Sequence, residues 1–210
     1  MNIPLSELES SGALNELKLS NRGLEKESLR VDINGNISKK LHNPSFGSAL
    51  TNPYITTDFS ESLLEFITPT FHEPQECLNF LSDIHAFVYK NLDEELLWSL
   101  SMPCQINSVN DISIGKYGSS NAGKLKTIYR RGLAQRYGSM MQAISGIHYN
   151  FSFSDNFFRR ILGLKEDFNN IQSLKNDSYL GIARNFRRYS WLYFILFGAS
   201  PSASESFVGK

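Results

Sequence analysis

The segment 24–33 constrains the fold most, because two kinds of side chain alternate along it as they do in a β-strand. One face of this strand carries two acids and three aliphatic residues: Glu25, Glu27, Leu29, Val31 and Ile33. A carboxylate among apolar neighbours needs a partner that neutralises its charge. The pair Asn34-Gly35 ends the segment and predicts a type I′ hairpin turn.

A second run of residues, 60–69, predicts a strand that is buried on both faces and ends at a proline. Its Glu65 again lies among aliphatic residues, and Asp58 comes shortly before the run. Clustered carboxylates indicate bound cations, arginine partners or a shared proton, and Mg²⁺ prefers such oxygen ligands. The alternative is that these acids lie on solvated faces or pair with Arg30 or Arg130.

The longest strand candidate covers residues 140–153. Its odd positions from Ile147 onward are apolar, so this face is expected to pack against a core. The even positions present Gln142, Gly146, His148, Asn150 and Ser152. From the pattern alone, His148 is a ligand, an acid–base group or a hydrogen-bonded core histidine.

Helical periodicity predicts four helices, at residues 5–19, 74–92, 124–136 and 178–197. Together with the strands, this order predicts an α+β fold with an antiparallel sheet and helices on one side. The Ser-rich residues 201–210 are expected to be a frayed tail.

The loop Gly118–Lys124 matches most of a phosphate-binding P-loop, and a helix follows it. However, Leu125 stands where a Ser or Thr hydroxyl would bind Mg²⁺, and the preceding strand candidate, 111–114, is short. We interpret the segment as a turn-rich binding loop, with a P-loop NTPase as the disfavoured alternative.

The composition excludes several classes of protein. The 210 residues include 21 basic and 21 acidic side chains, so no charge excess indicates nucleic acid or an anionic membrane as partner. Cys77 and Cys104 lack the spacing of a metal site or disulfide framework. No signal peptide is recognisable, and no apolar run approaches the ~18 residues of a spanning helix. The expected location is a reducing cytoplasm.

Several motifs follow one another along nearly the whole chain: 22–31 (RGLEKESLRV), 55–69 (ITTDFSESLLEFITP), 100–104 (LSMPC), 117–121 (YGSSN), 129–130 (YR), 145–152 (SGIHYNFS) and 196–201 (LFGASP). In sequence and order they resemble the proteobacterial glutamate–cysteine ligases, or γ-glutamylcysteine synthetases. The longer motifs exceed what chance agreement produces, unlike the short P-loop fragment.

The resemblance implies a glutamine-synthetase-like fold, in which an antiparallel sheet curves into a funnel with helices packed outside. It implies that ATP, L-glutamate and L-cysteine are converted to γ-glutamylcysteine, ADP and phosphate, the first step of glutathione synthesis. The glutamate γ-carboxylate would attack the ATP γ-phosphoryl group, and the cysteine amine would capture the γ-glutamyl phosphate. Mg²⁺, or Mn²⁺ in its place, would bridge the ATP phosphates.

The resemblance also assigns roles to individual residues. The metal-ligand positions are Glu25, Glu27, Asp58, Glu65 and His148. The substrate-binding positions are Phe59, Tyr129, Arg130 and Gln142, with Phe59 forming a wall of the cysteine pocket. Glu65 and Arg130 are the expected catalytic residues, and the forked guanidinium of Arg130 suits a carboxylate or phosphate oxygen.

Members of the family are more than twice as long as this chain. The resemblance therefore makes residues 1–210 the N-terminal part of a single catalytic domain, with an incomplete sheet. Two hypotheses stay open: the chain supplies part of a ligase active site, or it is a non-catalytic fragment that binds only metal or nucleotide. The oligomeric state also stays open.

Overall fold

The computed structural model describes residues 4–163, 170–198 and 202–208. They fall into two compact units. Unit 1 comprises Met1–Arg22 and Phe151–Ser202, and unit 2 comprises Gly23–Asn150 and Ala203–Lys210. Every residue predicted to belong to the functional site lies in unit 2.

The described part of the chain contains five strands: β1 (Asn21–Val31), β2 (Ile55–Thr57), β3 (Leu63–Ile67), β4 (Leu96–Leu97) and β5 (Ile147–Ser152). Their order is β2-β3-β1-β4, and β5 also pairs with β1. The pairings of β3 with β1, of β3 with β2 and of β4 with β1 are all antiparallel. The predicted antiparallel sheet is therefore confirmed.

The register between β1 and β3 places Glu27 opposite Glu65 and Leu29 opposite Leu63. Residues that are directly opposite in an antiparallel pair point to the same face of the sheet, so these four side chains share one face. Leu63 and Leu64 point to opposite faces and are both fully buried. The prediction that β3 is buried on both faces is confirmed.

Two hydrophobic clusters explain this burial. The cluster on the face of Glu27 contains Leu29, Val31, Ile37, Phe59, Leu63, Cys104, Ile106, Ile112 and Ala143. The other contains Phe46, Ile55, Leu64, Phe66, Ile84 and Val88, of which the last two belong to helix α2 (Pro74–Lys90). Unit 1 has its own core of Ala13, Phe158, Ile161 and Leu174. The acids, which are half-buried, thus adjoin an apolar core.

The turn after β1 differs from the predicted type I′ turn. The Asp32 carboxylate accepts hydrogen bonds from the backbone N–H groups of Asn34 and Asn36, and Gly35 N donates to Asp32 O. A type I′ turn needs positive φ at both central residues, but of this pair only Gly35 has it, at +80°. The side chain of Asp32 organises the turn instead.

The helices besides α2 are α1 (Leu5–Ser10), α3 (Asn121–Tyr137), α4 (Asp155–Leu162), α5 (Ile171–Phe197) and α6 (Glu205–Val208). The predicted helix 5–19 is divided at Gly12, whose φ is +71°, and continues as a 3₁₀ helix at Ala13–Leu19. Helix α5 begins at Ile171 rather than Ser178, because the Asn170 side chain accepts a hydrogen bond from Ser173 N and caps it there. None of the described helices is both long and apolar enough to span a bilayer.

The tail expected to fray, 201–210, contains helix α6, and Ile106 N donates a hydrogen bond to Ser206 Oγ in this helix. Residues 201, 209 and 210 lie outside the described residues.

The predicted strand 140–153 is shorter in the structure, because residues Met141–Ala143 form a 3₁₀ helix and β5 starts only at Ile147. The expectation that its odd face packs is wrong for Ile147, Tyr149 and Phe151, which are all exposed, whereas Phe153 packs against the core of unit 1. Alternation shows that one face is apolar, but it cannot show whether a second layer covers that face.

Candidate active site

The predicted acids come together at the centre of the sheet in unit 2. Glu25 and Glu27 lie on one face of β1, and Glu65 is directly opposite Glu27 on β3. Asp58 follows β2, where its backbone N–H donates to Leu63 O at 3.0 Å. Two neighbouring strands and the β2–β3 turn thus position four carboxylates.

The carboxyl groups repel one another in this arrangement. Burial raises the pKa of Glu65 to about 7, and the negative charges of Asp58, Glu27 and Glu25 add to this effect. Burial also raises the pKa of Glu27, although the hydrogen bond from Gly146 opposes the shift. Burial raises the pKa of Asp58 as well, and the nearby Arg130 counteracts it. The face carries an excess of negative charge, which a cation would relieve.

Strand β5 and the glycine just before it present polar groups to the two acids of β1. His148 Nδ1 lies 3.0 Å from Glu25 Oε2, and Asn150 Nδ2 donates to Glu25 Oε1 at 2.9 Å. Gly146 N donates to Glu27 Oε2 at 2.6 Å. The hydrogen bond to Glu25 is the main reason that the pKa of His148 is raised. The structure therefore brings His148 into contact with the acidic cluster, where the family resemblance, rather than the alternating pattern, places it.

Arg130 reaches the same region from helix α3. Its Nε donates a hydrogen bond to Asp58 O, and its guanidinium lies over the ring of Tyr117, with the central carbon 4.5 Å from the ring centroid. Tyr117 is buried, which raises the pKa of its hydroxyl and keeps it neutral. Tyr117 was not among the predicted site residues, although it begins the motif 117–121.

Three further predicted residues have different surroundings. Tyr129 is exposed on α3, and Gln142 is half-buried in the 3₁₀ helix before β5. Phe59 is fully buried in the cluster that contains Leu29 and Leu63. Its predicted role as a wall of the cysteine pocket stays a prediction, as do the substrate-binding roles of Tyr129 and Gln142.

The alternative in which Arg30 neutralises these acids is excluded. Arg30 lies on the other face of β1 and is fully buried. Its Nη1 forms a salt bridge with Glu95 at 2.8 Å, and its Nη2 donates to the backbone oxygens of Lys40 and Glu61. Arg130 is the arginine that the structure places beside Asp58.

The donor chemistry of the cluster fits Mg²⁺, which takes carboxylate oxygens and keeps several waters. His148 is its least suitable ligand, because Mg²⁺ prefers oxygen to imidazole nitrogen. Within the described residues, no three His, Cys, Asp or Glu side chains form a group ready to hold a metal ion. Both Glu25 oxygens are engaged by His148 and Asn150. The assignment of five metal ligands therefore stays a prediction.

The P-loop alternative gains no support from the surroundings of its loop. The P-loop fold requires a parallel strand before the loop, whereas residues Val109–Asp111 form a 3₁₀ helix and Ile114 makes only an isolated antiparallel bridge with Ser60. Leu125 is exposed at the start of α3. The Ser120 side chain caps α3 by accepting a hydrogen bond from Gly123 N.

The chain matches a family model described as "Glutamate-cysteine ligase" over residues 5–210. Its curated relatives include the glutamate–cysteine ligase of Wigglesworthia glossinidia brevipalpis, 50% identical over 195 residues, with 91% of this chain and 37% of the relative covered. The glutamate–cysteine ligase of Pseudoalteromonas translucida is 48% identical over 204 residues, and the match covers 97% of this chain and 38% of that relative. The chain spans little more than a third of these relatives.

Two solved structures resemble the chain closely. The glutamate–cysteine ligase of Francisella tularensis, in complex with AMP, has a TM-score of 0.84 and 40% identity, with 91% of this chain and 37% of that one covered. A bifunctional glutathione synthetase from Pasteurella multocida has a TM-score of 0.84 and 36% identity, and the match covers 93% of this chain and 25% of the synthetase chain. These matches confirm the resemblance stated from the motifs.

Proposed function

The chain belongs to the glutamate–cysteine ligase family, and from this premise we propose that it supplies the acidic part of a ligase active site. The reaction joins the γ-carboxylate of L-glutamate to the amine of L-cysteine with hydrolysis of ATP to ADP and phosphate, in the cytoplasm. The AMP bound to the Francisella relative supports an adenine nucleotide as co-substrate.

The observation that carries this proposal is the pairing of Glu27 with Glu65 in the register of β1 and β3. Two half-buried carboxylates that face each other, with Asp58 and Glu25 nearby, form an anionic site at the edge of an apolar core. Mg²⁺ or Mn²⁺ held by Glu25, Glu27, Asp58, Glu65 and His148 would shield the phosphate charge of ATP.

The residues of the chain then act mainly by binding and orientation. Arg130 is anchored through its Nε at Asp58 O, so its guanidinium is held beside the acids, where its fork can bind a phosphate or carboxylate oxygen. Tyr129, Gln142 and Phe59 would contact the two amino acids. Holding the glutamate carboxylate in line with the phosphoryl group makes attack effectively intramolecular.

A non-catalytic fragment is the second candidate, because the chain spans only 37% of its Wigglesworthia relative. We expect residues 1–210 alone to form little or no γ-glutamylcysteine, since phosphoryl transfer and amine attack need all reacting groups aligned. Binding of metal and nucleotide can persist without turnover. A P-loop NTPase would lose nearly all activity in Lys124→Ala, whereas a ligase would retain most of it.

The experiment uses a fusion protein, the joined ligase, in which this chain is followed by the part of the Wigglesworthia ligase that the chain does not cover. It measures γ-glutamylcysteine formation with ATP, glutamate, cysteine and Mg²⁺. Glu25→Gln and Glu27→Gln should each lower turnover by about 100-fold or more, because phosphate charge is left uncompensated. Glu76→Gln, on the exposed side of α2, is the matched control and should change nothing. Wild-type turnover and Mg²⁺ dependence in both site variants would contradict the proposal.

A further inference from the structure

The hydroxyl of Tyr117 joins two segments that are distant in sequence. It is within hydrogen-bonding distance, as a donor, of two backbone carbonyl oxygens, Thr57 O at 2.7 Å and Asp58 O at 2.9 Å. The same oxygen accepts a hydrogen bond from Thr57 Oγ1 at 3.0 Å. These contacts hold the backbone at the end of β2, where Asp58 enters the acidic cluster.

The ring of Tyr117 contacts two cations of α3 one helical turn apart. The guanidinium carbon of Arg130 and the Nζ of Lys126 lie 4.5 and 5.0 Å from the ring centroid. Cations over an aromatic face are attracted by its quadrupole, and more strongly where water is excluded. Arg130 Nε and the Tyr117 hydroxyl both donate to Asp58 O. The Tyr117 side chain, the Arg130 guanidinium and the Asp58 carbonyl group are therefore each in contact with the other two.

Two glycines leave the room that this arrangement needs. A Cβ atom at Gly115 would lie 2.8 Å from Tyr117 Oη and 2.9 Å from Thr57 Oγ1. A Cβ atom at Gly123 would lie 2.3 Å from Tyr117 O. All three distances are below normal van der Waals contact, so the two glycines allow Tyr117 to pack closely against them. Gly123, the second glycine of the P-loop-like segment 118–124, thus has a role that involves no phosphate.

We propose that Tyr117 is a positioning residue of the candidate active site, whose hydroxyl and ring together hold the Arg130 guanidinium against the Asp58 carbonyl. The proposal rests on the function proposed above, because that function places Arg130 at the substrate. Tyr117 acts through Arg130, by restricting its guanidinium to one orientation beside the acids.

The direct test measures solvent exchange of the Arg130 Nε–H group by ¹⁵N NMR on the 210-residue chain, with the signal assigned by its loss in Arg130→Lys. Tyr117→Phe keeps the ring and should accelerate exchange about tenfold. Tyr117→Leu should accelerate it to the rate of exposed arginines. Tyr137→Phe is the matched control, because Tyr137 also contacts an arginine of α3, Arg136 at 5.8 Å, but is exposed.

Unchanged exchange in Tyr117→Phe, with native circular dichroism, would overturn the proposal even if Tyr117→Leu failed to fold. In the joined ligase, Tyr117→Phe should lower kcat about tenfold and leave the KM for ATP and glutamate within about twofold, because misalignment acts on the transition state. Faster exchange with unchanged kcat would also overturn it. If the joined ligase forms no γ-glutamylcysteine but Tyr117→Phe still accelerates the exchange of Arg130 Nε–H, the proposed function is contradicted. The anchoring of Arg130 by Tyr117 is then supported.

Discussion

Glu65 has the most strongly shifted pKa among the acids of the site. Burial, and then repulsion by Asp58 and Glu27, raise its pKa from 4.5 to about 7. The folded chain therefore retains a proton that the unfolded chain releases. Between pH 4.5 and 7 the stability of the metal-free chain should fall as the pH rises, because the unfolded state loses its proton first.

Glu65→Gln should reduce this pH dependence, and the raised pKa values of Glu27 and Asp58 should leave the remainder. In EDTA, we expect the variant to be more stable than the parent above pH 7 by roughly 1 to 2 kcal/mol, after allowance for solvent screening, and similar to it at pH 4.5. Urea unfolding at several pH values measures this, with Glu76→Gln as the exposed control. The same pH slope in Glu65→Gln as in the parent would contradict the assigned environment of Glu65.

Both free cysteines should be unreactive in the folded chain. Cys77 and Cys104 are buried, and burial raises the pKa of Cys104 to about 11. The thiolate is the reactive form, so alkylation by iodoacetamide at pH 8 should be about 100-fold slower in the folded than in the urea-unfolded chain. Mass spectrometry after timed quenching follows the reaction at each cysteine. Equal rates at Cys104 in the two states would show that this part of the core is open.

At the scale of residues, the alternating pattern was sufficient to predict that Glu25, Glu27 and Glu65 lie on apolar strands. Their convergence with Asp58 and His148 came from the family resemblance, and the structure supplies the contacts. Tyr117 could not be predicted from a pattern, because its partners Thr57 and Asp58 are about 60 residues away. Periodicity indicates which side chains share a face of one strand or helix, whereas the contacts of Tyr117 with Thr57 and Asp58 depend on the tertiary fold.

Strand β1 separates two different electrostatic environments. Its acidic face carries the candidate site, and its other face carries Arg30, which holds Glu95 through two hydrogen bonds at 3.0 and 2.8 Å. Ser38 Oγ also donates to Glu95. Since Arg30 and Glu95 are both buried, each depends on the other for neutralisation. This pair anchors β1 to the segments around residues 38–40 and 95.

Glu95→Ala should therefore destabilise the chain by about 3 to 5 kcal/mol, because it leaves Arg30 buried without its counterion. The matched control is Lys39→Ala, which removes the 2.6 Å pair of the exposed Lys39 with Asp111 and should cost less than about 1 kcal/mol. Denaturant unfolding monitored by circular dichroism gives both values. Equal effects of the two substitutions would contradict a structural role for the buried pair.

At the scale of elements, the sequence predicted β3, α2 and α3 well, because strong periodicity coincides there with clear ends. Pro74 occupies the first turn of α2, and Ser120 caps α3. The predictions were wrong about the long helix 5–19 and the long strand 140–153. The positive φ of Gly12 interrupts the helical pattern of residues 5–19, and the 3₁₀ helix at Met141–Ala143 interrupts the alternating pattern of residues 140–153.

At the scale of the whole molecule, the match to the glutamate–cysteine ligase family covers both units, over residues 5–210. Unit 2 contains all the predicted site residues described, yet β5 exposes Ile147 and Tyr149, and α5 in unit 1 exposes an aromatic end that includes Trp191 and Phe197. Exposed apolar faces of this kind are typical of surfaces that contact another protein segment, a ligand or a membrane. The chain spans 37% of its Wigglesworthia relative.

We predict that the acidic face of the sheet binds a divalent cation together with ATP. Electron paramagnetic resonance of Mn²⁺ measures this binding on the 210-residue chain at pH 8, above the pKa of about 7 of Glu65. We predict that Mn²⁺ with ATP binds the parent chain and that Glu27→Gln and Glu65→Gln each weaken binding at least about tenfold, because each removes one anionic oxygen ligand. The exposed control Glu76→Gln should bind like the parent. Equal Mn²⁺ affinity in the parent and both site variants would contradict the prediction.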